Sequence, residues 1–348
     1  MRASIKCLLV YFLCSSSIQG QLVNQNFLFN YKKEKDLYLS KNKAHTAFKS
    51  TNWIDVQNDT AFYFGIAPAF ESVFGLQNEG SVARNGIGIV LNSSFRKWTA
   101  EITYLYSYGQ YMEYQKDFIA ERRVVPSMNV SRGTSNIQAD YIQGYLNYEV
   151  NNVFNFQLGY GRNFIGDGYR SMFLSDFSNA SPYLRIDAKL WKFKYTILYN
   201  AHQNIFNVEG NAGLYQLKYT VTHFLDWRIS KWLTIGLFES IVWQAEEDGY
   251  RRGFEVNYLN PVIFFRPVEF SIGSSDNALV GANLKTTISK KNILYGQILF
   301  DEFLLSEIRA DINQWRNPDQ DIPSGWWGNK YSFQVGWKGF DLFSVDGL

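Results

Sequence analysis

The stretch GYGRNFIGDGYRS, residues 159–171, places four glycines within ten residues and sets two arginines and an aspartate among them. Its start, G-x-G-x-x-x-x-G, is close in spacing to loops that cradle a dinucleotide phosphate with backbone N–H groups at a helix N-terminus. That chemistry needs a buried parallel strand before the loop and a helix after it. Neither is present in the pattern. Phe154, Phe156 and Leu158 alternate with Asn155 and Gln157, and Gly166-Asp167-Gly168 breaks a helix. The glycines read instead as places of turning and close backbone approach, Gly159 and Gly161 on a strand and Gly166 and Gly168 in a loop. Arg162, Asp167, Tyr169, Arg170 and Asp176 then form a candidate polar binding site. The competing role for such charges is to pin the loop by ion pairs.

Other chemistry has less support. The histidines, His45, His202 and His223, form no i, i+4 pair and have no carboxylate at ligand spacing, so no metal is expected. Ser240 and His223 fall on neighbouring predicted strands, as a serine hydrolase on a barrel wall would need, but no G-x-S-x-G elbow accompanies them. Catalysis is therefore not expected, and no cofactor is called for. The stretch QWRNPDQDIPSGWWGNK carries Trp315, Trp326 and Trp327 beside Arg, Asn and Asp. Flat aromatic faces next to polar groups suit sugars: the ring packs on C–H groups and the polar groups bond hydroxyls. For Trp326 and Trp327 an aromatic girdle at a membrane interface is the stronger reading, because a strand begins just after them.

These residues must be positioned by strands. Residues 154–161 alternate apolar and polar side chains, and so do 142–150, 183–190, 214–229 and 331–338. Similar segments lie near 61–75, 84–92, 98–111, 193–201, 233–243, 279–288 and 293–304, about twelve in all. Each approaches the ~9–11 residues that a tilted strand needs to cross a bilayer. Aromatic content is 18% while mean hydropathy is only −0.23. A transmembrane barrel reconciles the two, because its strands alternate lipid-facing with lumen-facing residues. A β-sandwich could show the same alternation. The connections separate them: very short ones at 151–152, 191–192, 230–231 and 290–292 alternate with long ones near 112–138, 163–181, 202–213, 244–278 and 305–329. Short turns on one rim and long loops on the other is the up-and-down plan of outer-membrane barrels. The fold expected is an all-β, antiparallel transmembrane outer-membrane β-barrel, spanning 60–348.

The ends and loops complete the organisation. Arg2 and Lys6, an apolar run over 7–13 and then Ser15, Ser16 and Ser17 have the layout of a secretory signal peptide over 1–20. Residues 21–59 are expected on the periplasmic side. Both cysteines, Cys7 and Cys14, lie in the signal, so the exported chain has no thiol chemistry and no disulfide. Net charge is +2, from 34 basic and 32 acidic residues, which gives no reason to expect nucleic acid. The chain runs past Phe340 into DLFSVDGL, which reads as the start of a further strand, so a C-terminally incomplete barrel is expected. The stretch EEDGYRRGFEVNYLNPVIFFRPVEF combines Arg251, Arg252 and Arg266 with an apolar core at 262–265. It is expected to fold into the barrel mouth as a plug, the alternative being a solvated loop.

Three blocks resemble the capsule-assembly Wzi family of outer-membrane barrels, especially its Bacteroidetes branch with gliding-motility-associated members. They are GRNFIGDGYRSMFLSDFSNASPYLRI, THFLDWRISKWLTIGLFESIVW and YLNPVIFFRPVEF. The resemblance implies more than twelve strands and a site for surface polysaccharide at the extracellular end. With the residues above, it makes Arg162, Asp167, Tyr169, Arg170, Asp176, Arg251, Arg252, Arg266 and Trp315 the candidate polysaccharide contacts. The partners expected are outer-membrane lipid, surface polysaccharide and other surface-assembly or motility proteins. A gliding-motility role, a porin-like channel and a barrel lipase are the alternatives carried forward.

Overall fold

The computed structural model describes residues 54–59, 62–77, 80–126, 128–168, 170–206, 208, 211–247, 249–263, 276–289, 292–301, 305–317 and 330–339. The expected signal peptide and the rest of the chain before residue 54 lie outside them. Alternation drives the chain into long strands: β1 (Ile54–Asp59), β2 (Phe62–Gln77), β3 (Gly80–Phe95), β4 (Trp98–Gly109), β5 (Ile137–Glu149), β6 (Phe154–Gly161) and β7 (Ser181–Leu190). There follow β8 (Phe193–Asn204), β9 (Gln216–Arg228), β10 (Leu233–Gln244), β13 (Asn277–Ser289), β14 (Asn292–Asp301) and β15 (Lys330–Gly339). These thirteen pair in chain order into one sheet. Between β10 and β13, β11 (Glu246–Glu247) and β12 (Tyr250–Arg251) form a separate small hairpin. Helix α1 (Glu113–Arg122) follows β4, and α2 (Leu305–Arg316) follows β14.

Every pairing in the large sheet is antiparallel. Twelve of its strands coincide with the alternating segments of the sequence. The extra one, β1, pairs with β2 from Ile54 opposite Ile66. Joins at one rim are short, at 96–97, 150–153, 191–192, 229–232 and 290–291, and the long connections all lie at the other rim. The rim carrying long connections also has the two-residue join at 78–79.

The direction of the side chains identifies the wall. Phe154, Phe156 and Leu158 point away from the sheet into open space, with Leu158 62% exposed, and Val335 on β15 is 77% exposed. The opposite face buries Thr103, Ser107, Thr196, Asn283 and Gln297. Apolar groups outside and polar groups inside invert the pattern of a water-soluble sandwich and match a membrane wall. The inner face is concave. Residues 162–180, rooted between β6 and β7, lie along it as far as β14. Phe173 stacks on Phe238 of β10 at 4.5 Å, and the Gln297 amide on β14 donates to the Ser171 hydroxyl at 3.0 Å.

Two long connections fill the inner side. In residues 110–136, Tyr111, Ile119, Val125 and Met128 pack on Leu105, Ala139 and Tyr141 of the wall. In residues 162–180, Ile165 and Phe173 pack on Tyr183, Leu198 and Phe238. The connection after β10 behaves differently from expectation. Residues 250–263 do not plug the mouth. They lie against the outer face of β8, β9, β10 and β13, where Tyr258 joins Ile197, Tyr199, Val221, Ile241, Trp243 and Ala278. The segment meets the apolar outer wall through Tyr258; of the apolar core at 262–265, Val262 is exposed on the side away from the wall, and Phe264 and Phe265 lie outside the described residues. Residues 264–275, including Arg266, lie outside the described residues.

Candidate functional site

The described candidate contacts all lie on connections that leave the long-loop rim. The chain leaves β6 at Gly161 and turns inward at once. Arg162 donates from Nη2 to the Tyr141 hydroxyl at 3.0 Å and from Nη1 to the Asp176 carbonyl at 3.1 Å, with its guanidinium over the Tyr141 ring. One arginine thus ties both ends of the connection to β5. At Gly166 the backbone takes φ of 106°, in the region that favours glycine. At Gly168 an added Cβ would stand 2.0 Å from Gln334 Oε1 and 2.6 Å from Gln297 Oε1. The glycines therefore let the backbone lie on β14 and β15.

Asp167 is buried between these glycines. Its carboxylate accepts from Asn283 Nδ2 at 2.7 Å and from Lys285 Nζ at 3.0 Å, both on β13. Its own N–H donates to Asn283 Oδ1 at 3.3 Å. Of the two roles read from the sequence, pinning the loop describes what this carboxylate does. A matching anchor holds the other inward connection: Arg84 pairs with Glu71 at 3.0 Å, Ser107 donates to the same carboxylate at 3.1 Å, and the Arg84 guanidinium lies over Tyr111. Burial pushes the Tyr111 phenol above its usual range, with the Arg84 charge opposing it.

Other candidates stay at the surface. Arg170 is exposed, with its guanidinium 4.7 Å from the centre of the Phe177 ring, which is also exposed. Trp315 on α2 is 81% exposed. Arg251, on β12 opposite Glu246, is exposed as well. Arg252 is half-buried, and its Nη2 donates to Asp276 Oδ2 at 2.7 Å. The structure thus brings Arg162 and Asp176 together, and leaves Arg251, Arg252 and Trp315 on connections of their own. Tyr169, Trp326 and Trp327 lie outside the described residues.

Sequence reasoning missed a second arginine–aromatic pair on the same rim. The Arg122 guanidinium, at the end of α1, lies 4.6 Å from the centre of the Phe206 ring, which is exposed. The Arg122 carbonyl accepts from the Tyr215 hydroxyl at 2.5 Å. Arg122 and Phe206 are far apart in the chain and no spacing rule connects them.

Register separates the Ser240–His223 pair on which the hydrolase alternative rests. Glu239 faces His223 directly across β9 and β10, and Ser240 faces Thr222. Successive residues of a strand point to opposite faces, so Ser240 lies inside and His223 outside. Ser240 instead bonds Thr222, oxygen to oxygen at 2.8 Å. Among the described residues no group of three or more His, Asp or Glu stands where it could hold a metal.

No family model matches the sequence, and no curated protein matches it. Among solved structures, outer-membrane-expressed OmpT of Vibrio cholerae is similar with a TM-score of 0.34 and 8% identity, over 82% of this chain and 99% of that one. In-vitro folded OmpT, an outer membrane protein of Vibrio cholerae, gives 0.30 and 8%, over 71% and 88%.

Proposed function

We propose that this outer-membrane β-barrel binds surface polysaccharide at its long-loop rim and retains it on the cell, without passing solutes through its lumen. The observation that carries this reading is the filling of the inner face. Residues 110–136 and 162–180 pack inward on apolar clusters; the first lies with Tyr111 under the Arg84 guanidinium, and the second is pinned by Asp167–Lys285. A barrel so filled supports a holding role over a porin-like one. The long connections expose Arg170 on Phe177, Arg122 on Phe206, and Trp315. Ring faces flanked by guanidinium donors fit the apolar faces and hydroxyls of sugars. The resemblance of three sequence blocks to the Wzi family points the same way.

The test uses the full chain in detergent micelles and polysaccharide shed by the cells that make it. At about 1 kcal/mol per stacked pair, replacing Arg170, Phe177, Arg122 and Phe206 together by alanine weakens binding by roughly thirtyfold. Loss of the gene shifts polysaccharide from the cell-bound to the shed fraction. No measurable binding by the intact protein, with unchanged retention after gene loss, overturns the reading.

A further inference from the structure

The outer wall of a membrane barrel is a poor place for ionisable side chains, because a charge facing lipid is costly and an unsatisfied polar group is nearly as bad. This wall has two such groups in one spot. Glu239 on β10 and His223 on β9 face each other across the ladder, with Ile197 and Val280 as their outer neighbours in register. Glu239 is six residues from the short-rim end of β10, which is roughly 15 Å up the wall for a strand rising ~3.3 Å per residue and tilted ~40°. That is near the middle of an apolar band ~25 Å tall. Both side chains have 0% exposure.

What covers them is the segment 250–263. Its backbone is irregular, yet the wall supplies it with donors. Trp243 Nε1 donates to the Gly253 carbonyl at 3.2 Å. The Tyr199 hydroxyl donates to Leu259 at 3.4 Å, and the Tyr195 hydroxyl to Pro261 at 2.8 Å. Tyr195 also hydrogen-bonds His223 Nδ1. Tyr258 is fully buried against Trp243 and donates to Asp276 at 2.5 Å. Phe254 packs on Tyr219 and Trp243. The far side of the segment is apolar: Val256 is 67% and Val262 63% exposed, with Leu259 beside them. The exposed Asn257 and Asn260 bond within the segment, to Glu255 and to the Val262 N–H. This apolar surface continues that of Leu237 and Leu284 on the wall around it.

We propose that residues 250–263 are a membrane-embedded strap: their outer side lies against lipid acyl chains, and their inner side removes the Glu239–His223 pair from lipid. The strap is therefore a condition for stable insertion of the wall and not an extracellular loop. The occupant of its outer surface is lipid, because that surface is continuous with the lipid-facing wall and is apolar at Val256, Leu259 and Val262, while the exposed Arg251 stands in the hairpin with Glu246 where the segment leaves the end of β10.

The experiment uses the full chain with Cys7→Ser and Cys14→Ser, reconstituted in phosphatidylcholine–phosphatidylglycerol vesicles and carrying one nitroxide label. Positions Val262→Cys and Val256→Cys are compared with Leu284→Cys on the wall and Arg170→Cys on the aqueous rim. Labels on the strap collide with oxygen in preference to a nickel chelate, as at Leu284→Cys. Nickel accessibility equal to that at Arg170→Cys overturns the proposal. A second arm removes the wall's donors with Tyr195→Phe, Tyr199→Phe and Trp243→Phe together. The folded-to-unfolded ratio falls by about tenfold or more, and it recovers when Glu239→Leu and His223→Leu are added. An unchanged ratio in the triple variant, or no recovery with the apolar pair, also sinks the idea.

Discussion

Asp167 reaches across the lumen to two side chains on one strand, and its position between Gly166 and Gly168 lets it do so. Replacing it removes a charged acceptor and leaves Lys285 with less compensation. Asp167→Asn lowers stability by about 1–3 kcal/mol, the usual range for a buried hydrogen bond to a charged group. Lys285→Met alone has a similar effect. Because the two groups share one interaction, the double variant loses less than the sum of the singles. Chemical denaturation in micelles of the wild type and the three variants measures the coupling; strict additivity denies the pair its anchoring role. The sequence already marked Asp167 and Arg162 as a unit of interest. It could not tell a sugar contact from a pin, because alternation reports which face a side chain takes and not what lies opposite. Ser240 and His223 pair in the sequence only as members of neighbouring strands; register places them on opposite faces.

Strands were legible element by element, because a bilayer on one side and a polar lumen on the other impose period two over the full length of each crossing. The exception, β1, reads IDVQND and is too polar and short to stand out. Destinations of the long connections were not legible. The 162–180 and 250–263 segments both mix charge with an apolar core, yet one lies inside the wall and the other outside. Their placement depends on partners supplied by strands far along the chain, such as Gln297 for the first and Tyr199 for the second. Helix α1 is a further case. It opens with Gln115 accepting from the Met112 N–H and ends at Arg123, whose φ is 57°. Only one of its residues, Ile119, is fully buried. Ile119→Ala should cost about 2–4 kcal/mol of the packing that holds α1 inward. The expected consequence is local: trypsin cuts intact cells after Arg122 and Arg123, while the strands stay protected. Equal resistance of wild type and variant would show that α1 is held by something other than Ile119.

At the scale of the whole molecule, strand number and loop packing explain each other. About eight strands enclose an interior that side chains alone can fill. The thirteen strands among the described residues already outnumber these, and the polar lining of so wide a wall either bounds a water-filled channel or is covered by inserted chain. Here two connections supply the filling, and they bring their own apolar clusters, so the polar inner wall meets a protein plug. The lining beneath them stays charged: Arg185 pairs with Asp187 at 2.9 Å, and Lys194 stands 3.8 Å from the same carboxylate. Removing the plug should therefore expose an ion-conducting path. The intact protein in a planar bilayer is expected to show little current. A variant with 163–179 replaced by a short Gly-Ser link is expected to show discrete conductance steps that rise with salt concentration. Large ohmic steps from the intact protein would move the molecule into the porin class and leave the rim without its holding role. A silent deletion variant with a normally folded wall would mean that residues 110–136 alone close the lumen. Adding Ile119→Ala to that variant then separates the two plugs, because loosening the second connection should restore the current.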